Sequence, residues 1–248
     1  MTGVAAVIQA RTGSSRLPGK VMYPLDGRSA LEHVVNRVVY TDSVTDTVVA
    51  TSTEPQDDVI EQYAPEFGAE VIRGSESDVL SRFGLAVKQY DPDIVVRVTG
   101  DCPLVSPRFI DACVDRICTA GADYVCAGLE RTFPRGVTCE AFTSESFDQM
   151  RTNSTKPRHR EHVTPYYREH PEEFELYNLA SDEIFDESWL QGRTDLRLTL
   201  DEPADYRLLE TVYKEVECAE VIDIADVVQY IDKNGLKDIN KDVEQKSV

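Results

Sequence analysis

The sequence predicts an α/β fold with a mostly parallel central sheet and helices on both faces of that sheet. In the first half of the chain, short apolar runs alternate with segments of helical periodicity, and strands that alternate with helices form parallel sheets. The apolar runs are nearly continuous, which is typical of strands that are covered on both faces. With 248 residues, of which 41% are hydrophobic, the chain can form one large core, and we expect a single domain over residues 1–248.

The first half of the chain supplies the parallel strands. Strands are predicted at residues 4–8, 47–51, 69–72 and 93–98. Helices are predicted at residues 29–40, 56–67 and 77–90. Because ligands bind at the carboxyl ends of parallel strands, one rim of the sheet should contain the loops at 9–20, 51–55, 73–78 and 99–106.

The second half of the chain is less regular. Helices are predicted at residues 107–120, 203–216 and 223–234, and strands at residues 123–126 and 196–200. Residues 128–180 mix short elements with proline and charge, and we interpret them as an excursion from the main fold. We expect Trp189 to lie in the core and the last dozen residues, which are polar, to fray.

The chain is strongly acidic, with 45 acidic and 26 basic residues and a net charge of −19. This charge disfavours nucleic acid and anionic membrane surfaces as partners. The acidic residues are spread along the chain, and we interpret this as a halophilic protein. No run approaches the roughly 20 apolar residues that span a bilayer, and no signal peptide is recognisable, so we expect a cytoplasmic protein. The six cysteines form no C-x-x-C pair and should be free thiols, mostly buried.

The loop after the first strand combines residues that bind polyphosphates. Residues 9–20 read QARTGSSRLPGK, with two glycines, two serines and three cations. Glycines let backbone N–H groups approach an anion, while Arg and Lys neutralise its charge. The loop is not a P-loop, because five residues separate its glycines and Val21 follows Lys20, and it contains no G-x-G-x-x-G fingerprint. A solvated surface loop is the alternative, but clustered cations in so acidic a chain favour a triphosphate.

Two acidic residues follow predicted strands. Asp101 lies in the run VTGDCPL after residues 93–98, and Asp201 lies in LTLDEP at the end of residues 196–200. Magnesium takes one or two carboxylates together with waters and substrate phosphates, so the pair could hold one ion. Each residue could instead cap the helix that follows it. The presence of two such carboxylates favours the metal site.

These segments resemble the sugar-acid cytidylyltransferases, a family that includes the CMP-KDO and CMP-sialic acid synthetases. The resemblance is strongest to the spore-coat polysaccharide biosynthesis branch and covers roughly residues 4 to 215. It rests on IQARTGSSRLPGK at 8–20, RGSESDVLSRF at 73–83, VTGDCPL at 98–104, GVTCE at 136–140, REHVT at 160–164 and LDEPADY at 200–206. Better-studied members carry QGD where this chain has TGD at residues 99–101.

The resemblance implies a glycosyltransferase-A-like nucleotide-diphospho-sugar transferase fold. It implies a cytidylyltransferase that moves CMP from CTP to a sugar or sugar acid, with release of pyrophosphate, for surface polysaccharide or glycan biosynthesis. It further implies Mg²⁺ as cofactor, with Asp101 and Asp201 as its ligands, and catalytic roles for Arg11, Lys20 and Asp101. The implied nucleotide-binding residues are Gln9, Ala10, Gly13, Ser14, Ser15, Arg16, Arg73, Thr99 and Gly100.

Residues 128–180 are interpreted as the acceptor-binding and dimerisation excursion of a single nucleotidyltransferase domain, and a homodimer is expected. The candidate acceptor residues are Arg135, Glu140, Arg160 and His162. Arg131 and Arg158 are further cations that could bind a carboxylate or phosphate of the acceptor. Ion pairing with surface acids is the alternative for all of these arginines.

Two other functions stay open at this point. A glycosyltransferase that consumes a nucleotide sugar would typically carry an Asp-x-Asp motif after a strand, whereas Asp91 and Asp93 precede one. A non-catalytic nucleotide-sugar-binding protein would bind its ligand without releasing pyrophosphate.

Overall fold

A seven-stranded sheet lies at the centre of the structure, a computed structural model that describes residues 2–218 and 220–245. The strands are β1 (Val4–Gln9), β2 (Pro24–Leu25), β3 (Arg28–Ser29), β4 (Asp46–Ser52), β5 (Glu70–Gly74), β6 (Ile94–Thr99), β7 (Tyr124–Cys126), β8 (Glu140–Thr143) and β9 (Leu176–Asn178). The sheet has the order β5-β4-β1-β6-β8-β7-β9, and β2 and β3 form a separate hairpin.

The sheet is mostly parallel, as predicted. Strands β5, β4, β1 and β6 run parallel to one another. Strand β8 is antiparallel to both of its neighbours, β6 and β7, and β9 is parallel to β7. The chain therefore places the carboxyl ends of β4, β1 and β6 at the same rim as the amino end of β8.

Helices cover both faces of the sheet. They are α1 (Ala30–Val39), α2 (Asp58–Tyr63), α3 (Val79–Tyr90), α4 (Pro107–Ala120), α5 (Ser144–Asn153), α6 (Pro157–His162), α7 (Pro165–Glu169), α8 (Pro203–Glu215) and α9 (Ile224–Asn234). Ile8 of β1 packs with residues of α1, α4, α8 and α9 in one core, and Val7 packs with residues of α3, α5 and α7 in the other. Alternate residues of a strand point to opposite faces, so this division places a helical layer on each side.

The predicted helix at residues 56–67 is interrupted. Helix α2 covers only its middle part and is flanked by 3₁₀ turns at Pro55–Asp57 and Ala64–Phe67. Pro65 has no N–H donor and its ring obstructs the preceding turn, so the α-helical pattern ends before it.

The predicted strand at residues 196–200 is wrong. Within the described residues, this segment forms only an isolated bridge between Arg135 and Arg197. The alternating hydrophobic pattern of this segment arises because Leu196, Leu198 and Leu200 are all buried in the core. The Leu200 N–H donates to the Asp101 carbonyl at 2.8 Å, so the segment still lies beside the loop after β6.

Two smaller expectations are also wrong. Trp189 is 38% exposed, because it lies in a turn where the neighbouring Leu190 takes the buried position. The chain end up to residue 245 contacts the rest of the fold instead of fraying. Asn240 is buried and donates to the Arg197 carbonyl, and Gln245 accepts from Arg197 at 2.6 Å. Residues 246–248, the rest of the expected frayed end, lie outside the described residues.

The cysteines are free thiols and most are buried, as predicted. Cys102, Cys113, Cys126 and Cys139 are buried, whereas Cys118 and Cys218 are exposed. Among the helices in the described part of the chain, none has the length and apolar character that a membrane crossing requires.

Candidate active site

Three sequence-predicted residues, Lys20, Asp101 and Asp201, lie in direct contact. Lys20 Nζ is 2.6 Å from Asp101 Oδ2 and 2.8 Å from Asp201 Oδ1. Lys20 follows Gly19, whose φ of 74° lies in the left-handed region that glycine tolerates best. Asp101 is two residues beyond β6, at the carboxyl edge of the parallel strands.

Asp201 is surrounded by cations. Besides Lys20, Arg16 Nη2 lies 2.9 Å from Asp201 Oδ1, and Arg197 Nη2 lies 2.6 Å from Asp201 Oδ2. Burial alone would raise the pKa of Asp201, but these three cations lower it below its ordinary value. Burial alone would likewise lower the pKa of Lys20, but Asp101 and Asp201 raise it. Lys20 and Asp201 are therefore both charged near neutral pH.

A buried carboxylate, Asp205, fixes the position of Asp201. It accepts hydrogen bonds from the backbone N–H groups of Asp201 and Glu202, each at 3.0 Å. It also accepts from Arg197 Nε at 3.0 Å and from Asn240 Nδ2 at 2.8 Å. The Asp201 side chain is thus held toward Lys20 by both the backbone and the shared arginine.

The chemistry of this cluster fits a divalent cation. Oxygens of Asp101 and Asp201 converge on one cation, the Lys20 ammonium, so the two carboxylates lie close enough together to share a metal ion as well. Two carboxylates are a usual protein contribution to a magnesium site, with phosphate oxygens and waters as the other ligands. The remaining ligands would have to arrive with a substrate.

The loop of residues 10–19 and the loop after β6 touch each other at the rim. The Gly100 N–H donates to the Gln9 carbonyl at 2.9 Å. A Cβ at residue 100 would lie 2.9 Å from Ala10 Cβ, so this close approach requires glycine. The structure therefore brings Gln9, Ala10, Thr99 and Gly100 together, as the shared rim predicts.

Arg11 and Arg73 lie on the same rim but contact acids away from Lys20. Arg11 Nη1 is 3.2 Å from Glu76 Oε1, and the Arg11 side chain is 40% exposed. Arg73 Nη1 is 2.8 Å from Asp58 Oδ1 and also contacts Glu61. The structure does not bring Arg73 into contact with the phosphate-binding candidates of residues 13–20. Gly13 lies against Glu76, and Ser15 is exposed.

A cavity of about 910 Å³ opens beside Asp101 and Asp201, both of which line it. Its walls carry six arginines, namely Arg16, Arg97, Arg131, Arg135, Arg158 and Arg168. The acidic residues of its lining are Asp101, Glu140, Glu169 and Asp201. In a chain with a net charge of −19, this concentration of cations indicates a site for an anionic ligand.

Arg135 is the cation in this wall that is most available to a ligand. Its guanidinium makes no hydrogen bond or ion pair within the described residues. Burial, and then the neighbouring cations Arg131 and Arg197, lower the pKa of Arg135. An anion bound beside Arg135 would relieve this repulsion.

Glu140 is buried in the cavity wall and is fully engaged by other side chains. It accepts from Thr164 Oγ1 at 3.0 Å and from Arg168 Nη2 at 2.8 Å, and it also contacts Arg97 and Tyr124. Burial alone would raise the pKa of Glu140, but Arg97 and Arg168 lower it. Because its oxygens already have four partners, Glu140 serves chiefly to hold the two arginines at the wall.

The remaining acceptor candidates are divided between the cavity and the surface. His162 lines the cavity, and burial lowers the pKa of its imidazole. Arg158 also lines the cavity but pairs with Glu169. Arg160 is paired with Asp78 at 2.6 Å and is half-exposed, so the ion-pair alternative describes it better.

Sequence reasoning missed three arginines of this site. Arg97 lies inside the apolar strand β6, and Arg197 lies between two buried leucines. A charge within an apolar run is unusual and is a signal that could have identified both residues. Arg168 lies in the short helix α7, where the sequence offers no such signal.

A parallel-sheet α/β fold with a cationic loop and paired carboxylates at one rim is the arrangement expected of a nucleotidyltransferase. The chain belongs to the cytidylyltransferase family, whose model, described as "Cytidylyltransferase", matches residues 5–242. Family and fold thus confirm the resemblance, the fold class and the predicted cytidylyltransferase activity.

Similar proteins match this chain over nearly its whole length. An uncharacterized protein of Methanocaldococcus jannaschii is 36% identical over 245 residues, which is 98% of this chain and 97% of that protein. The spore coat polysaccharide biosynthesis protein SpsF of Bacillus subtilis is 30% identical over 239 residues, 94% of this chain and 96% of that protein. A solved cytidylyltransferase from Leptospira borgpetersenii has a TM-score of 0.88 and 30% identity, covering 99% of this chain and 100% of its own.

Proposed function

We propose that this cytidylyltransferase transfers CMP from CTP to an anionic sugar, either a sugar acid or a sugar phosphate, and releases pyrophosphate. The observation that carries the proposal is the arginine-lined cavity that opens directly beside Lys20, Asp101 and Asp201. An acceptor bound there would lie next to the residues suited to the phosphates. The similarity to a spore coat polysaccharide biosynthesis protein supports a product used for polysaccharide assembly.

On the nucleotide side, the protein contributes position and charge. Lys20 and Arg16 are charged and adjacent, and they would bind the triphosphate and stabilise the negative charge that builds up on the departing pyrophosphate. Arg11, on the same rim, would reach the phosphates after leaving Glu76. Asp101 and Asp201 would hold Mg²⁺, which when bound supplies neutralising charge at the α-phosphate.

On the acceptor side, the cavity arginines would orient the sugar for in-line attack. Arg135, whose guanidinium has no hydrogen-bond or ion-pair partner in the described part of the chain, would bind the carboxylate or phosphate of the acceptor. Arg97 and Arg168, held by Glu140, would complete the anionic subsite. Orientation of this kind lowers the entropic cost of bringing two substrates together. A homodimer also stays part of the proposal, and light scattering on the purified protein tests it.

A pyrophosphate-release assay tests the function. Each of the four common nucleoside triphosphates is incubated with MgCl₂ and a panel of sugar acids, sugar phosphates and neutral sugars, at low and high KCl. We expect release only with CTP and an anionic acceptor. Arg135→Ala should raise KM for the acceptor about tenfold while leaving KM for CTP nearly unchanged, as the loss of one charged hydrogen bond would. Preference for a neutral sugar, or no use of CTP, would contradict the proposal.

A further inference from the structure

Thr12 fixes the shape of the loop between Arg11 and Lys20. Its carbonyl accepts hydrogen bonds from both the Ser14 and the Gly19 N–H groups, each at 2.8 Å. These two bonds draw the beginning and the end of the loop together. The direction in which Thr12 points therefore decides which backbone N–H groups of the loop are left free to meet an anion.

Thr12 is in turn held by a carboxylate from a different part of the chain. Asp57 Oδ1 accepts from both the backbone N–H and the side-chain hydroxyl of Thr12, each at 2.7 Å. Asp57 is fully buried, and its other oxygen accepts from the Ser52 hydroxyl. Burial alone would raise the pKa of Asp57, but these hydrogen bonds lower it, so the group is ionised.

Asp57 occupies the position from which an aspartate usually caps a helix. It immediately precedes α2, yet its side chain makes no capping hydrogen bond. A cap at this position contributes about 1 kcal/mol to the stability of a helix. The carboxylate instead forms its hydrogen bonds across to Thr12 and Ser52. An aspartate at a helix N-cap position that makes no capping hydrogen bond is expected where that residue contributes to a site elsewhere.

A second buried charge lies near this carboxylate. Arg82 of α3 is 2% exposed, and its Nε and Nη1 atoms have no hydrogen-bond partner within the described residues. Burial and then Arg11 lower the pKa of Arg82 to about 10, whereas Asp57 raises it. Arg82 therefore remains a cation and offsets the charge of Asp57 behind the loop.

We propose that Asp57 is a positioning residue for the phosphate loop, which it holds through Thr12 in the conformation that receives the triphosphate of CTP. This inference rests on the proposed function. It assigns to Asp57 an effect on the binding of CTP and none on the acceptor cavity, which the residue does not line.

Matched variants of the full-length protein test the inference. Thr12→Val keeps the branched shape but removes the hydroxyl donor, whereas Thr12→Ser keeps that donor. Asp57→Asn removes the charge at nearly constant size. Ser52→Ala removes a donor to the same carboxylate that does not belong to the loop. The dissociation constant for CTP is measured by calorimetry in MgCl₂, with a thermal melt of each variant.

We expect Thr12→Val and Asp57→Asn to weaken CTP binding about tenfold, which corresponds to the loss of one hydrogen bond to a charged group. Thr12→Ser and Ser52→Ala should bind CTP within about threefold of the wild type, although Ser52→Ala melts at a lower temperature. Unchanged CTP binding by Thr12→Val and Asp57→Asn, with only a lower melting temperature, would overturn the inference and leave Asp57 a purely structural residue. A wild-type protein that does not bind CTP would overturn the proposed function as well.

Discussion

At the scale of single residues, Lys20 joins the two halves of the candidate site. Lys20 ends the glycine-serine loop, and its ammonium contacts both Asp101 and Asp201, which belong to two different segments of the chain. No other lysine within the described residues contacts both Asp101 and Asp201. A role in transition-state stabilisation should therefore be concentrated in this side chain.

Lys20→Ala should reduce turnover about 10²-fold or more, because loss of one preorganised donor to a developing anion typically has this effect. Pyrophosphate release under saturating substrates measures it. Lys88→Ala, an exposed lysine of α3, is the matched control and should be as active as the wild type. A Lys20→Ala enzyme with nearly full turnover would contradict the proposed role.

How far the sequence predicts individual residues depends on how far their contacts reach along the chain. Lys20 and Asp101 could be identified because each lies in a loop that follows a correctly predicted strand, and strand ends share a rim. Asp201 was predicted from a strand at residues 196–200 that does not form, and it reaches the rim because the Leu200 N–H donates to the Asp101 carbonyl. Asp57 could not be identified, since it falls inside the helix predicted at residues 56–67 and its partner Thr12 is reached only in the folded chain. Arg73 was assigned to the nucleotide by resemblance, and the acids of α2 that surround its guanidinium were not foreseeable from the motif.

At the scale of elements, the antiparallel pairing of β8 with β6 builds one wall of the arginine-lined cavity. The register places Arg97 of β6 directly opposite Glu140 of β8. Arg168 of α7 reaches the same carboxylate from the helical layer. The buried Glu140 carboxylate therefore connects two strands and a helix. We expect it to contribute to stability as well as to the proposed acceptor binding.

Glu140→Gln should lower the free energy of unfolding by about 3 kcal/mol at pH 7, because it removes the buried counter-ion that Arg97 and Arg168 share. For a chain of this size the melting temperature should fall by roughly 6–12 °C. Thermal melts followed by circular dichroism measure this difference. The exposed Glu145→Gln is the control and should melt like the wild type.

The difference in melting temperature between the wild type and Glu140→Gln should become smaller at acidic pH. Because the pKa of Glu140 is lowered in the folded protein, its stabilising contribution is present above the ordinary value of 4.5 and is lost as the pH falls through the folded value. The melting temperatures of wild type and Glu140→Gln should therefore converge between pH 5 and more acidic solutions. A gap of constant size over that range would show that the charge of Glu140 does not matter.

Hydrophobic periodicity predicted the parallel half of the sheet well, and it failed where tertiary contacts determine the secondary structure. Strands β1, β4 and β6 are largely buried on both faces, so their apolar runs are visible in the sequence. Residues 196–200 alternate like a strand, but within the described residues they form backbone hydrogen bonds with Arg135 and Asp101 and an isolated bridge instead of a strand ladder. The close approach of Gly136, where a Cβ would lie 2.5 Å from the Thr199 nitrogen, is a contact that no local pattern reveals.

At the scale of the whole molecule, charge is unevenly distributed. The net charge is −19, yet six arginines gather in the walls of one cavity. The rest of the surface is correspondingly more acidic and repels itself. Added salt should therefore stabilise the fold and weaken the binding of anions in the cavity.

Raising KCl from 0.1 M to 1 M shortens the screening length from about 10 Å to about 3 Å and should raise the melting temperature by roughly 5 °C or more. The same change should weaken the binding of CTP, since the attraction between cations and phosphates is screened too. Differential scanning fluorimetry and calorimetry measure the two effects. Sucrose, which is uncharged, is the control for the first. A melting temperature that does not respond to KCl would refute the interpretation of the chain as halophilic.

The reversed direction of β8 separates two tasks within one sheet. The loops after β1 and β6 carry Lys20 and Asp101, and the chain from Ala127 to Cys139, which leads into β8, lines the other side of the same opening. Substitutions in that connecting chain can therefore reshape the cavity, the proposed acceptor pocket, without disturbing the parallel strands behind residues 10–19. A lineage that keeps the first hundred or so residues and varies this connection could acquire new sugars while retaining its original phosphate chemistry.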